Sequence, residues 1–274
     1  MSHRRARTRF HLLPAAAFLA GALGSAQAWG GDAICPPNMA YLDSVNMCID
    51  RWEATVEVWS NDEGFVPHSP YELVDPLEGH LRAVSLPDVV PQGHVAGSSA
   101  RAACFGASKT LCPMRVWRRA CMGKSRWSFP YGPLREAGRC NDGHRDHPVM
   151  SLFPEAGNGP WAFPFMNDPR LNQQRDTIAR TGAYPACCNE HGVFDLVGNL
   201  HEWIDDEEGT FLGGYYMDTS QHGAGCLYVT TGHSFRYFDY STGFRCCAVP
   251  EGSPPSARAV PPRPVPLRAP LPGP

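Results

Sequence analysis

The segment 195–202 combines two carboxylates with a glycine-containing turn. Asp195 and Glu202 stand at its ends, and Gly198 permits a sharp turn whose backbone carbonyls, at Gly198 and Leu200, can point inward. Calcium binds such mixtures of carboxylate and carbonyl oxygens because its coordination geometry is flexible. The pattern predicts a calcium site at these four residues, and the alternative is a hydrogen-bonded turn without a metal.

Cysteine is a second source of chemistry, since the chain contains 11 cysteines. In an oxidising compartment this number implies several disulfide bridges, and an odd number leaves one thiol unpaired. Cys35 and Cys48 flank a segment typical of a turn between two strands, so we expect them to pair. The adjacent pairs 187–188 and 246–247 should bridge outward, because a bridge between neighbours strains the backbone. Zinc binding is the rival interpretation, but no Cys-x-x-Cys spacing supports it.

The first 28 residues are typical of a secretory signal peptide. Four arginines precede an apolar stretch, 12–23, and Ala26 and Ala28 supply the small residues that a signal peptidase reads. The stretch is shorter than the ~20 apolar residues that span a bilayer. We therefore expect cleavage after Ala28, a secreted or periplasmic protein, and no membrane span after signal cleavage.

The rest of the chain is interpreted as one domain followed by a tail. Residues 250–274 are dominated by proline, which cannot enter the interior of a helix or sheet, so a disordered, solvated tail is expected. Residues 32–249 suit a single domain. The formal net charge is −3, and removal of the arginine-rich signal makes the mature protein more acidic. No basic stripe remains, which argues against nucleic-acid binding.

Regular secondary structure is sparse in this domain. The segments 39–42 and 47–55 are predicted to be short strands. Ser98 or Ser99 can cap a first helix, and Pro113 can open a second one. The mixture of short strands and helices indicates an α+β protein.

The region 127–184 is rich in glycine, proline and asparagine and shows no periodicity. A stretch of this length without regular structure is unusual in a compact domain. We therefore expect disulfide bridges or bound cations to hold it in place.

Six sequence blocks, in the same order, resemble the formylglycine-generating-enzyme (sulfatase-modifying-factor) family. One block would be a weak sign, but six in family order argue against chance. The resemblance implies a disulfide-stabilised α+β variant of the C-type-lectin-like fold, low in regular secondary structure. The blocks are Cys-Ile-Asp-Arg-Trp-Glu-Ala-Thr (48–55), the helix-pair segment 103–120, Phe-Pro-Tyr-Gly (129–132), Gly-Val-Phe-Asp-Leu-Val-Gly-Asn-Leu-His-Glu-Trp (192–203), Gly-Gly (213–214) and Thr-Gly-Phe-Arg-Cys (242–246).

The resemblance also assigns calcium ligands. In the family, the positions that match the four residues of the 195–202 turn bind calcium. The first ligands of a second family calcium site match Asn141 and Asp142 here, and Asp168 is a further candidate ligand. Its remaining ligands fall where this chain is least similar to the family.

The family's oxidation chemistry is expected to be altered in this chain. It uses copper(I) held by two cysteines, spaced Cys-x-x-x-x-Cys shortly before Gly-Phe-Arg, and copper(I) prefers thiolates. One register places Gln221 and Cys226 at these positions, and another places Ser234 and Asp239 there. Neither register contains two thiols, which argues against formylglycine generation. Cys226 is then a candidate catalytic residue or a bridge partner of the 246–247 pair.

His201 stands where the family usually has an aromatic residue, and it is the second candidate catalytic residue. With His222 and His233 it could form a cluster that binds copper or iron, because imidazole suits both metals. Three separate surface or hydrogen-bonded histidines are the alternative interpretation.

Trp203, Arg236 and Tyr237 could line a substrate cleft, although aromatic residues beside Gly-Phe-Arg are as easily part of a core. Three functions remain open. The first is an O2-using, metal-dependent oxidoreductase acting on a peptide or thiol-type substrate. The second is a non-catalytic, calcium-stabilised, lectin-like module that binds a peptide or glycan outside the cytoplasm. The third is formylglycine generation through an unrecognised cysteine pair. The sequence indicates neither the substrate nor the oligomeric state.

Overall fold

The computed structural model describes residues 34–74, 80–154 and 163–253. The predicted signal peptide (1–28) and residues 254–274 of the predicted tail lie outside these ranges. Within them, 11 short strands and four short helices are joined by turns. The elements, in chain order, are β1 (Met39–Leu42), β2 (Met47–Asp50), β3 (Ala54–Ser60), β4 (Gly64–Pro67), β5 (Leu81–Ser85), α1 (Gly97–Gly106), β6 (Thr110–Leu111), α2 (Met114–Met122), α3 (Pro148–Leu152), α4 (Phe163–Met166), β7 (His201–Trp203), β8 (Phe211–Leu212), β9 (Val229–Thr230), β10 (Thr242–Phe244) and β11 (Cys246–Ala248).

The strands form three small sheets. Their orders are β1-β2-β11-β6, β10-β7-β8-β9 and β4-β3-β5. β10 pairs with β7 in parallel, so that Thr242 lies opposite His201 and Phe244 lies opposite Trp203. This pairing places the Gly-Asn turn and the Gly-Phe-Arg block, which are distant in the sequence, side by side.

The strand predictions are partly confirmed. The segment 39–42 forms β1 as expected. The single strand predicted for 47–55 is instead divided, since β2 ends at Asp50 and β3 begins at Ala54 in a different sheet. Between the two strands the side chain of Glu53 is buried, and it accepts hydrogen bonds from Asn199 and Leu200 of a distant turn.

The two longest helices lie close to their predicted positions. α2 begins directly after Pro113, as expected. The predicted serine cap of α1 is wrong, because the N-cap residue is Ala96 and no side chain caps the helix. Ser99 is inside the helix, and its hydroxyl donates to the carbonyl of Val74 at 3.1 Å.

Five disulfide bridges connect the elements, and Cys188 is the free cysteine. The Cys35–Cys48 pairing, the outward bridging of the 246–247 pair and the single unpaired thiol are confirmed. Of the 187–188 pair, Cys187 bridges outward as expected, but Cys188 forms no bridge. The bridge expected between Cys226 and the 246–247 pair is wrong. Successive side chains of β11 point to opposite faces, so these two cysteines reach different partners. The bridges are Cys35–Cys48, Cys104–Cys246, Cys112–Cys247, Cys121–Cys226 and Cys140–Cys187.

The region 127–184 is held by a bridge and by side-chain hydrogen bonds to the backbone. Cys140–Cys187 spans most of it. The amide of Asn141 donates to the carbonyl of Thr177 at 2.8 Å. The expectation that bridges hold this region is confirmed.

The hydrophobic core is divided by β11. Cys247 packs in one cluster with Trp117 and Leu196, and Cys246 packs in a second cluster with Trp203 and Phe244. Among the described residues, no helix is long and apolar enough to cross a membrane.

Candidate functional site

A buried network of charged side chains joins three of the sequence blocks. Its centre is Arg245, which is fully buried. Its guanidinium donates to both carboxylate oxygens of Glu202, at 2.6 Å each, and to the carbonyls of Phe194, at 2.8 Å, and Asp50, at 3.0 Å. Burial works to lower the pKa of Arg245, but the charge and hydrogen bonds of Glu202 and the nearby charges of Glu53 and Asp195 together outweigh it, and the pKa is raised. We call this set, together with Glu53 and Asp195, the motif network.

The carboxylates of the motif network share little positive charge. Glu53 accepts from the amide of Asn199 at 2.5 Å and from the backbone N–H of Leu200 at 3.2 Å. Burial raises its pKa well above the ordinary value, and the negative charges of Asp195 and Glu202 raise it further. Burial also raises the pKa of Asp195 to about 7. At least part of this cluster is therefore protonated near neutral pH.

The structure brings the two predicted calcium segments together. The backbone N–H of Asn199 donates to the carbonyl of Asn141 at 2.8 Å, and the Asn141 amide donates to the side-chain oxygen of Asn199 at 2.9 Å. Gly198 has φ +80°, and a Cβ there would lie 2.3 Å from the Asn141 carbonyl oxygen. Glycine is therefore required at this contact.

The side chains predicted to bind calcium are engaged with protein partners. Both oxygens of Glu202 accept from Arg245, and one also accepts from the indole N–H of Trp117 at 2.7 Å. Both oxygens of Asp142 accept from Arg135, at 2.6 and 3.0 Å. A carboxylate held by a guanidinium does not fit a calcium ligand as it stands.

The other predicted calcium ligands have contacts of the same kind. Asp195 accepts the backbone N–H of Gly182 at 2.7 Å, and Asp168 is paired with Arg170. Within 34–74, 80–154 and 163–253, no group of three or more His, Cys, Asp or Glu side chains is placed to hold a metal ion. Calcium binding at these positions stays a prediction.

A second cluster, of aromatic rings and histidines, surrounds β7 and β8. The imidazole of His201 lies 4.6 Å from the ring of Phe211, 4.7 Å from that of Tyr215 and 5.4 Å from that of Tyr228, between centroids. We call this cluster the aromatic–histidine face. Its members are His201, Phe211, Tyr215, Asp218, His222, Tyr228, His233 and Tyr237.

The three histidines predicted to cluster do lie in one neighbourhood. His222 meets the edge of Tyr228, and His233 stacks on Phe211, so each contacts a ring that also contacts His201. Burial lowers the pKa of His201 to about 3, so its imidazole is neutral at neutral pH. Its Nδ1 is buried and has no hydrogen-bond partner among the described residues. Such a group calls for an explanation, for example a bound water, ion or ligand.

A tyrosine-rich region adjoins this face. The hydroxyl of Tyr237 donates to buried Asp239 at 2.5 Å. The ring centroids of Tyr215 and Tyr240 lie 6.1 Å apart, and the Tyr240 hydroxyl lies 3.3 Å from Nε2 of His147. These contacts extend the polar, aromatic surface away from His201 and toward α3.

His94 is a functional candidate that the sequence interpretation missed. Its backbone is left-handed, with φ +51°, and its side chain is almost fully buried. Burial lowers the pKa of His94, and its Nε2 has no partner within the described residues. Strained backbone at a non-glycine residue often accompanies function. No spacing in the sequence could have indicated His94 as a functional residue. The tyrosines of the neighbouring region could have been noticed, because Tyr215 and Tyr216 directly follow the Gly-Gly block.

Two predicted site residues require correction. Cys226 is bonded to Cys121, so it offers no thiolate while that bridge is intact. Trp203 is fully buried in the core, and its indole N–H donates to the carbonyl of Val95 at 2.8 Å, so it does not line a cleft. Tyr237 lies on the aromatic–histidine face, and Arg236 is exposed beside it.

Residues 44–258 match the family described as the sulfatase-modifying factor enzyme 1-like domain. The chain therefore belongs to this family, and the predicted kinship, the mixed α+β fold and its stabilisation by disulfides are confirmed. The comparison with curated proteins finds no match.

Two solved structures are similar to the chain at low identity. PvdO from Pseudomonas aeruginosa has a TM-score of 0.42 and 12% identity, over 78% of this chain and 98% of that one. The Major Tropism Determinant U1 variant has a TM-score of 0.42 and 11% identity, over 80% of this chain. This chain spans 54% of that protein's length.

Proposed function

We propose that this chain is an extracytoplasmic, non-catalytic ligand-binding member of its family, and that it binds a glycan at the aromatic–histidine face. The observation that carries the proposal is that the segment between Gly-Gly and Gly-Phe-Arg presents rings and neutral polar groups instead of two thiols. This segment corresponds to the region where the family holds its copper.

The state of the cysteines supports a role other than thiol chemistry. Ten of the 11 cysteines are in bridges. The remaining one, Cys188, has a pKa that burial and the nearby charge of Asp195 raise. A thiol with a raised pKa is a poor nucleophile and a poor metal ligand at neutral pH.

The composition of the face supports a largely uncharged ligand. Burial raises the pKa of Tyr215 to about 12 and also raises the pKa values of Tyr228 and Tyr237, so all three hydroxyls are protonated. Exposed His222 and half-buried Tyr215 and Tyr237 offer ring surfaces with hydrogen-bonding groups at their edges, and Tyr228 is buried beneath them. Sugars present the complementary combination of C–H faces and hydroxyl groups, and aromatic residues with a polar end suit such mixed surfaces.

A binding experiment tests this proposal. The mature protein is screened against immobilised glycans and a peptide library, and affinities for the hits are measured by calorimetry. His222→Ala should weaken glycan binding about fivefold, in the range expected for one contact residue. His80→Ala, an exposed histidine before β5, serves as the matched control and should leave the affinity unchanged. Peptide binding alone, or glycan binding that ignores His222→Ala, would contradict the proposal.

One observation favours a second candidate, an O2-using oxidoreductase with an altered site. His201 is a neutral imidazole whose Nδ1 has no partner among the described residues, and neutral imidazole is the form that binds copper or iron. His201 would be the one firmly positioned ligand, with Asp218, His222 and His233 near enough to affect its pKa. Such a metal would supply the means to activate O2.

Metal analysis separates the two candidates. The oxidoreductase predicts about one copper or iron per chain after purification, lost in His201→Asn and retained in His80→Ala. Copper-loaded protein should leave a Cys-x-Pro-x-Arg peptide unoxidised in either case. Conversion of that peptide to formylglycine would overturn both proposals.

A further inference from the structure

A cleft of about 320 Å³ is lined by residues of the β4-β3-β5 sheet and of the segment 68–74. The volume falls at the lower end of the range for small-molecule sites. Its lining combines aliphatic and polar side chains. The walls are Val58, Val66, Val74 and Leu81, and the rim includes His68 and Glu72.

The loop that forms one wall is fixed by a buried glutamine. The amide nitrogen of Gln92 donates to the carbonyls of Ser69, at 3.2 Å, and Glu72, at 3.0 Å. The hydroxyl of Ser99 donates to the carbonyl of Val74, the last described residue of this segment, at 3.1 Å. The described part of this wall, 68–74, is therefore held in place by the protein itself, which lowers the ordering cost of binding a ligand there.

The same glutamine fixes the tautomer of His68. Because the Gln92 nitrogen is used as a donor, its Oε1 is the atom that faces Nδ1 of His68, at 3.3 Å. An amide oxygen only accepts, so Nδ1 carries the proton. In the neutral ring Nε2 is then a hydrogen-bond acceptor.

The rim carries a carboxylate without a positive partner. Glu72 is exposed, and its carboxylate makes no hydrogen bond or ion pair with the residues that the structure describes. No lysine or arginine lines the cleft. Arg82, on the neighbouring strand β5, is paired with Glu57 and lies over the ring of Phe65.

We propose that this cleft binds a small aliphatic amine, with its ammonium group at Glu72 and His68 and its apolar body against the four wall residues. The lining offers hydrogen-bond acceptors and a negative charge from His68 and Glu72, and methyl groups from the three valines and Leu81. A protonated aliphatic amine supplies three donors and a positive charge in a compact group attached to an apolar body, and it complements both kinds of lining residue.

The probe is 3-methylbutylamine, and 3-methylbutanol is its neutral counterpart of similar shape. Binding is followed by chemical-shift changes in the labelled mature protein. The amine should bind about three- to fivefold more tightly than the alcohol, as expected for a charge contact at a solvated rim. Glu72→Gln should remove this preference and leave alcohol binding unchanged.

Glu63→Gln is the matched control, because Glu63 is an exposed carboxylate on the β3–β4 turn outside the cleft. It should keep the preference for the amine. Val66→Trp, which fills the cleft, should abolish binding of both probes. Equal binding of amine and alcohol by the wild-type protein, or an unchanged preference in Glu72→Gln, would overturn the proposal. His222→Ala should have no effect here, so this result is independent of the glycan experiment.

Discussion

The motif network and the aromatic–histidine face are adjacent in the fold, but they differ in how their buried polar groups are paired. The first is made from residues that carry the family resemblance, and in its interior the guanidinium of Arg245 pairs directly with Glu202 and lies near Glu53 and Asp195. The second is made mostly from residues between the blocks, together with His201 from the Gly-Asn block, whose buried Nδ1 has no partner among the described residues. This difference indicates that the blocks which reveal kinship specify much of the architecture, and it agrees with our proposal that the ligand is bound mainly by the segment between them.

Breaking the motif network should have the largest effect. Arg245→Met removes the guanidinium that pairs with Glu202 and leaves buried carboxylates uncompensated. The free energy of unfolding should therefore fall by about 3–5 kcal/mol. Urea unfolding measures it. Arg139→Met, at an exposed pair with Glu136, is the control and should cost about 1 kcal/mol or less. Equal losses in the two variants would contradict the central role of Arg245.

Removing the bridge beside the aromatic–histidine face should have the next largest effect. The double variant Cys121→Ser, Cys226→Ser should lose about 2–4 kcal/mol, because this bridge closes a long loop in the unfolded chain. Cys35→Ser with Cys48→Ser opens a much shorter loop and should lose less. Thermal and urea unfolding measure both. A greater loss on opening the shorter loop would contradict this ranking.

The two regions should respond to pH with opposite signs. The pKa of Asp195 is raised to about 7, so its contribution to stability is complete below about pH 4, its ordinary range, and is lost as the pH rises toward 7. Asp195→Asn should remove this decline from the profile of unfolding free energy against pH. The maximum slope from one group is about 1.4 kcal/mol per pH unit.

The pH dependence of stability that is due to His201 should have the opposite sign to that of Asp195. The pKa of His201 is lowered to about 3, so its contribution is present above about pH 6.5 and is lost as the pH falls toward 3. His201→Phe, which keeps a ring among Phe211, Tyr215 and Tyr228, should reduce the loss of stability in acid. If His201→Phe and Asp195→Asn changed the pH profile in the same direction, the assignment of opposite signs would be wrong.

The smallest effect is expected at the free thiol. Cys188→Ser should change the free energy of unfolding by about 0.5 kcal/mol or less, since Cys188 is half-buried and has one weak contact, to the carbonyl of Pro185. Ligand binding should be unchanged. A loss of activity or binding in this variant would show that the thiol is functional. It would contradict the assignment of function to the aromatic–histidine face alone.

Much of the fold could be predicted from the sequence, because its signals are local. Pro113 before α2, the Cys35–Cys48 hairpin and the ordered blocks depend on neighbouring residues. The partner of Cys226 depends on which face of a short strand each of Cys246 and Cys247 occupies, and no local pattern shows that.

The candidate site was only partly predictable. The sequence left open whether His201, His222 and His233 form a metal-binding cluster or stand apart. The ring contacts place them in one neighbourhood, but no described group of three is placed to hold a metal ion. The engagement of Glu202 by Arg245 was not, because the two residues are 43 positions apart and meet only through the pairing of β7 with β10. His94 could not be found either, since its strain and burial are properties of tertiary packing.

The most direct test of the division between structural thiols and a non-thiol functional face is a count of free thiols. The mature protein, secreted and unfolded without a reductant, is alkylated and analysed by peptide mass spectrometry. The structure predicts one labelled cysteine per chain, Cys188, with Cys121 and Cys226 recovered as a linked pair. Labelling of Cys226 and of another cysteine besides Cys188 in this unreduced sample would contradict the account, because two further thiols would then be available for metal chemistry.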